Sequence, residues 1–233
     1  MLYLIPTPLG ENDFSAIFPA INEEIINTID DFIVEDLRTG RRFLKKAGMR
    51  KPIDTLNFML LNEHTREVDA KQYLQPCLEG KHVGLMSDAG TPCVADPGNI
   101  VVAAAHRLNI PVVPLVGPNS IILSLMASGL NGQNFAFNGY LPVERDRREN
   151  ALRTLEGVMY KHNQTQIFIE TPYRNNHMIE SVLQVCNPAT ILCVAADVAT
   201  PQQTIIAKTV AQWKKSNYDF HKRPAVFLLG KNV

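Results

Sequence analysis

The chemistry-bearing stretch of this chain is residues 83–98, V-G-L-M-S-D-A-G-T-P-C-V-A-D-P-G, an apolar run that breaks into a loop of small residues around one carboxylate, Asp88. Small side chains at Ser87, Ala89 and Gly90 let another molecule lie against the backbone, and Asp88 can accept hydrogen bonds from that molecule's hydroxyl or amine groups. This combination suits a nucleoside-like cofactor, although turn chemistry alone also uses Gly, Asp and Pro in such a loop. A second loop, Gly117-Pro118-Asn119-Ser120, follows another apolar run and opens a helix at Ser120 and Ile121. Glu35 and Asp36 follow a short apolar run, where they can bind a substrate hydroxyl or simply favour a helix start. His64 lies in the polar cluster Asn62-Glu63-His64-Thr65 and can move protons near neutral pH, while an exposed capping histidine is the commoner use.

Cys77, Cys93, Cys186 and Cys193 are scattered, as are the 6 histidines, so reduced thiols and no metal are expected. Cys93 lies in the central loop with no histidine spaced to activate it. Neither the dinucleotide pattern G-x-G-x-x-G nor the phosphate-binding pattern G-x-x-x-x-G-K-[ST] occurs.

Positioning these loops is the task of alternating strands and helices. Strands are predicted at residues 2–5, 32–34, 53–56, 83–86 and 110–116, with helices at 17–29, 37–47, 66–78, 96–108 and 120–128. Asp96 is the expected N-cap of its helix and Pro97 its first residue. This alternation predicts a mainly parallel sheet covered on both faces, with the loops gathered at its carboxyl edge. The sequence G-L-N-G-Q at residues 129–133 marks the expected boundary between domains 1–131 and 132–233. Closely spaced strands near the end predict a mixed sheet in the second domain. Residues 38–51 carry Arg38, Arg41, Arg42, Lys45, Lys46, Arg50 and Lys51 with no acid among them, which reads as a solvated helix face or a phosphate-contacting patch.

The 233 residues are 45% hydrophobic and 20% charged, with 23 basic and 23 acidic side chains, so the molecule as a whole does not attract nucleic acid. Apolar runs are too short to span a bilayer and the first nine residues lack a basic start, so no membrane and a cytoplasmic location are expected.

The motifs L-Y-L-I-P-T-P-L-G at residues 2–10, S-D-A-G-T-P-C-V-A-D-P-G at 87–98, P-L-V-G-P-N-S-I at 114–121, G-Y-L-P at 139–142 and E-T-P-Y-R at 170–174 run in order through nearly the whole chain. In these it resembles the class-III S-adenosylmethionine methyltransferases, the tetrapyrrole methylase superfamily. Within that group it is most similar to bacterial 2'-O-methyltransferases acting on a cytidine ribose of small-subunit ribosomal RNA. The resemblance implies a tetrapyrrole methylase-like α/β fold of two α/β domains, the N-terminal one mainly parallel and the C-terminal one mixed. S-adenosylmethionine would be folded in the cleft between them. It implies a homodimer, with ribosomal RNA or the small ribosomal subunit as partner. Pro8, Asp88, Thr91, Ser120, Ile121, Thr171, Pro224 and Ala225 fall at its cofactor contacts.

Methyl transfer from a sulfonium is a direct displacement, and a ribose hydroxyl is a poor nucleophile near pH 7, so a nearby base or cation helps. Glu35, Arg38 and His64 are the candidates. The chain departs from the rRNA enzymes at Gly10-Glu11-Asn12-Asp13-Phe14-Ser15 in the first loop, at Leu37, Thr39 and Gly40 after Glu35-Asp36, and at Ala196-Asp197-Val198-Ala199-Thr200, where their two basic residues are missing. Their extra C-terminal segment is absent as well. The alternatives are a methylase of small, tetrapyrrole-like molecules and a non-catalytic S-adenosylmethionine-binding protein.

Overall fold

The computed structural model describes residues 1–11, 13–61 and 67–231. The chain forms two compact units, Met1–Asn119 and Ser120–Val233.

The first unit runs β1 (Leu2–Ile5), α1 (Phe14–Ile17), α2 (Ala20–Ile26), β2 (Asp31–Val34), α3 (Leu37–Lys46), β3 (Asn57–Leu60), α4 (Glu67–Tyr73), α5 (Gln75–Leu78), β4 (Val83–Met86), α6 (Asn99–Arg107) and β5 (Val112–Pro114). Its sheet has the order β3-β2-β4-β1-β5, and every neighbouring pair is parallel. Apolar residues cover both faces of the sheet, which is why β2 and β4 are buried along their whole length. Gly84 makes room within β4, where a Cβ would lie 2.7 Å from Ile5 Cδ1 and 2.9 Å from Phe32 Cδ1.

The strand order creates a crevice. After β2 the chain turns outward to β3, whereas after β4 it crosses β1 to reach β5 at the other edge. The connections leaving the neighbours β2 and β4 therefore diverge, and ligands of open α/β sheets bind outside the carboxyl ends of strands at such a point.

Several elements differ from expectation for local reasons. The helix expected over residues 17–29 is shorter, α2, which starts after Pro19 and is separate from the single turn α1 capped by Asp13. Proline cannot donate the helical hydrogen bond that one continuous helix would need there. Residues 53–56 are not a strand: Ile53–Thr55 form a 3₁₀ turn after Pro52, and the edge strand starts at Asn57. The helix expected from Asp96 begins instead at Asn99. Asp96 Oδ1 accepts from the N–H groups of Cys93 (2.8 Å) and Gly98 (2.7 Å), so this carboxylate braces its own turn. That turn holds Cys93 and Ala95 at φ 69° and 60°, a left-handed backbone its internal hydrogen bonds must hold in place.

The second unit comprises α7 (Ser120–Ser128), β6 (Phe135–Tyr140), α8 (Arg145–His162), β7 (Thr165–Ile169), α9 (Asn175–Val185), β8 (Ile191–Ala196), β9 (Thr204–Thr209), α10 (Val210–Trp213) and β10 (Ala225–Gly230). Its sheet, β6-β7-β10-β8-β9, is mixed: β6 and β7 are parallel and the other pairs antiparallel. Phe168 and Phe227 stack at 5.6 Å in the larger core, and Trp213 is buried beside them with its indole N–H donated to the Leu192 carbonyl at 2.8 Å. Helix α7 covers the opposite face, where Ile121 and Leu125 pack with Ile167, Cys193, Val226 and Leu228. The unit division thus falls at Asn119, earlier than the glycine-bearing segment at 129–133, because α7 buries its apolar stripe on the second sheet.

Candidate functional site

Three loops at the carboxyl edge of the first sheet are locked together. Thr7 and Gly90 exchange both backbone hydrogen bonds, at 2.9 and 3.1 Å, joining the loops after β1 and β4. Thr7 Oγ1 donates to the Ser87 carbonyl and Ser87 Oγ to the Gly90 carbonyl, each at 3.1 Å. Gly90 has φ +83°, a conformation that favours glycine. The loop after β5 closes the cradle: Gly117 lies flat against the Pro6 ring, and the Asn119 side-chain amide donates to Thr91 Oγ1.

Four carboxylates collect here, and their roles separate cleanly. Asp36 caps α3, accepting from the Thr39 N–H at 2.7 Å, and this bond is the main cause holding its pKa below the usual range. Asp96 serves its own turn, as described. Glu35 Oε1 accepts the Asp88 N–H at 3.1 Å and so ties the end of β2 to the β4 loop. Of the four, Asp88 has a side chain with no hydrogen bond or ion pair among the described residues. Burial raises its pKa first, and the Asp36 charge adds to it. Burial likewise raises the pKa of Glu35; the Asp88 N–H opposes this, while Asp96 and Asp88 reinforce it.

A carboxylate with a raised pKa costs stability once the pH exceeds its unfolded value, because the native state holds the proton more tightly. Glu35→Gln keeps an oxygen for the Asp88 N–H and removes that charge. It should raise Tm at pH 7, and the gain should fade as the pH falls toward about 4, the ordinary glutamate range. Thermal melts at the two pH values check this.

Beside the cradle is a cavity of ≈ 320 Å³ that occupies the crevice between the ends of β2 and β4. Pro8, Glu35 and Asp88 all line it, so the structure brings these three expected site residues together. Thr91 lies on the same loop, held by Asn119. Arg38 is exposed on α3 and does not line the cavity; Arg42 and Lys46, one and two turns further along, do. Phe14 and Phe43 add an aromatic wall that sequence reasoning missed. The helical phase set by the Asp36 cap was the signal for Arg42 and Lys46, since Gly40, Phe43, Leu44 and Ala47 face the core. His64 lies outside the described residues.

Burial, with Asp96 adding, pushes the Cys93 thiol up to about 12, so it stays protonated at neutral pH. Among the described residues no group of three or more His, Cys, Asp or Glu could hold a metal ion, and no helix is long and apolar enough to cross a membrane.

In the second unit, Thr171, Pro224 and Ala225 share one sheet edge because β10 starts beside the end of β7, with Val226 opposite Ile169. Glu170, 5% exposed, fixes that edge by accepting from the Thr171 N–H at 2.6 Å and from Arg174 at 2.6 and 3.0 Å. Asp197 closes it from β8, donating its N–H to the Pro224 carbonyl and accepting from Arg223 Nε. Ser120 and Ile121 open α7, where Ile121 is buried in the core beneath the second sheet and Ser120 is half-buried.

The methyltransferase CobJ superposes with a TM-score of 0.65 at 15% identity, covering 99% of this chain and 93% of that one. Cobalt precorrin-4 methyltransferase CbiF gives 0.63 at 15% identity, covering 98% and 94%. Uroporphyrin-III C-methyl transferase from Thermus thermophilus, in a complex with S-adenyl homocysteine, gives 0.56 at 15% identity over 98% and 96%. At such identity the likeness is one of fold. No family model matches the chain. Ribosomal RNA small subunit methyltransferase I of Vibrio cholerae is 31% identical over 213 residues, 91% of this chain and 69% of the relative. The protein of the same name from Escherichia coli O157:H7 is 29% identical over 231 residues, 98% of this chain and 77% of the relative.

Two α/β units, one with a parallel and one with a mixed sheet, give this chain the fold of the tetrapyrrole methylases. The chain belongs to the ribosomal RNA small subunit methyltransferase I family.

Proposed function

We propose that this protein transfers a methyl group from S-adenosylmethionine to a ribose hydroxyl of small-subunit ribosomal RNA. The observation that carries the donor half is the Asp88 carboxylate, held at the sheet edge by a locked loop and without a side-chain partner among the described residues. The donor's ribose hydroxyls and amine supply the hydrogen bonds that the loop does not. Thr91 and Pro8 adjoin it, and the same reading assigns Ser120, Ile121, Thr171, Pro224 and Ala225 to the donor. The acceptor half rests on family membership and on the basic helix α3.

The bound donor supplies an activated methyl carbon open to direct displacement. The chain must then hold the acceptor oxygen in line and weaken its O–H bond. Glu35 lines the cavity, which Arg38 does not, and its raised pKa makes it a better proton acceptor near neutral pH than an ordinary glutamate. Glu35→Gln should therefore lower kcat at unchanged donor affinity even as it raises Tm, a separation of activity from stability. The same family reading makes the protein a cytoplasmic homodimer, for which sedimentation should give twice the chain mass.

The direct test supplies S-adenosylmethionine labelled in its methyl group to small ribosomal subunits from cells lacking the protein. Label should appear in an alkali-resistant dinucleotide, because a methylated ribose oxygen cannot attack the adjacent phosphate. Label confined to bases, or none in RNA, would overturn the proposal.

A further inference from the structure

Helix α3 carries its positive charges on two unlike sides. Arg41 is engaged with Asp54 at 3.9 Å and lies over the Phe58 ring, while just beyond the helix Arg50 meets Glu23 at 3.3 Å and Lys51 meets Asp30 at 2.6 Å. Arg38, Arg42, Lys45 and Lys46 have no such partner among the described residues. Arg38, Arg42 and Lys46 are spaced by four, so they form one ridge, and like charges at that spacing work against the helix. Arg38 also lies in the first turn, where the helix dipole disfavours a cation and the N-cap carboxylate of Asp36 offsets that only in part. A helix keeps such a ridge at a cost to itself, and anions from outside would relieve it.

Two of the three ridge residues, Arg42 and Lys46, line the ≈ 320 Å³ cavity, opposite in charge to Glu35 and Asp88. The volume is at the small end of ligand sites, room for one base and its sugar rather than a four-ring macrocycle. Phe14 and Phe43, with ring centroids 5.8 Å apart, give it an aromatic wall, and single-stranded RNA is held by bases on aromatic side chains with phosphates on cations.

We propose that this cavity takes one unstacked nucleoside of the acceptor RNA, its base against Phe14 and its flanking phosphates on Arg42 and Lys46, with Arg38 taking the next phosphate along the strand. The assignment rests on the RNA reading above. It makes Arg42 and Lys46 positioning residues, which bring the ribose to the Asp88 loop without touching the methyl donor.

The test is the salt dependence of binding of a fluorescein-labelled oligocytidylate. For single strands log K falls by about 0.7 per neutralised phosphate, so R42A/K46A should lower the slope against log salt by about 1.4. The charge-keeping variant R42K/K46R should retain the slope, and so should R50A/K51A, whose cations are already paired. S-adenosylmethionine affinity should be unchanged in all of them, and R42A/K46A should raise KM for RNA at least tenfold with little change in kcat. Cytidine 3',5'-bisphosphate, which carries both flanking phosphates, should displace the strand from the wild type and at least tenfold more weakly from R42A/K46A. Uroporphyrin should not displace it. An unaltered slope in R42A/K46A, an equal loss in R50A/K51A, or displacement by uroporphyrin alone would overturn the assignment. Label entering RNA ribose with the slope unaltered would remove this pocket and leave the methyltransfer reading standing. A lowered slope with no label in RNA would do the reverse.

Discussion

Asp88→Ala should weaken S-adenosylmethionine binding at least a hundredfold by calorimetry without lowering Tm. The stability half follows from geometry: the Asp88 side chain holds no group among the described residues, so its removal orphans no donor there. The affinity half follows from charge. Each hydrogen bond to an ionised group contributes roughly 1.5–3 kcal/mol, and each 1.4 kcal/mol is a factor of about ten in Kd, so losing two such bonds gives at least a hundredfold. Asp88→Asn keeps one acceptor oxygen and should fall between. Burial raises the Asp88 pKa, so the wild type should lose donor affinity on acidification at a pH above the ordinary aspartate range. Asp88→Ala should show no such dependence. Unchanged affinity in Asp88→Ala would remove the cofactor site from this loop.

The loops were legible in the sequence because their punctuation is local. Pro6 and Pro8 stop β1, Gly90 takes a positive φ, and the second loop ends where α7 begins at Ser120. Each of these is a statement about one residue's backbone, which its side chain reports. What escaped was set by partners far along the chain. Asp96 has the look of an N-cap, yet its acceptor went to Cys93 and Gly98, and only the folded turn decides between those uses. The apolar stripe of α7 was visible as a stripe, but not which sheet it would cover. The sequence offers Arg38 as a candidate, whereas the cavity selects Arg42 and Lys46 by helical phase. The position of β4 between β2 and β1, which opens the crevice, leaves no mark on any single segment.

Gly117→Ala should lower both Tm and donor affinity, because the approach of Gly117 to Pro6 is what seats the third loop of the cradle. A Cβ at this position would lie 2.2 Å from Pro6 Cγ and 2.4 Å from Pro6 Cβ, far inside contact distance. Pro6 cannot rotate away, since its ring is bonded to its own backbone, so the loop after β5 must move. Overpacking of this kind costs about 1–3 kcal/mol, which in a chain of this length is a fall of several degrees in Tm. Displacement of the loop also draws Asn119 away from Thr91 and loosens the segment carrying Asp88, so donor affinity should fall with it. Gly157→Ala provides the comparison: Gly157 is inside α8 with nothing within 4 Å of its added Cβ, and alanine there should raise stability by about 0.5–1 kcal/mol. Donor affinity should be unmoved in that variant. If Gly117→Ala instead melts and binds as the wild type does, the loops after β1, β4 and β5 do not act as one cradle, and Asp88 would have to be positioned by the β1 and β4 loops alone.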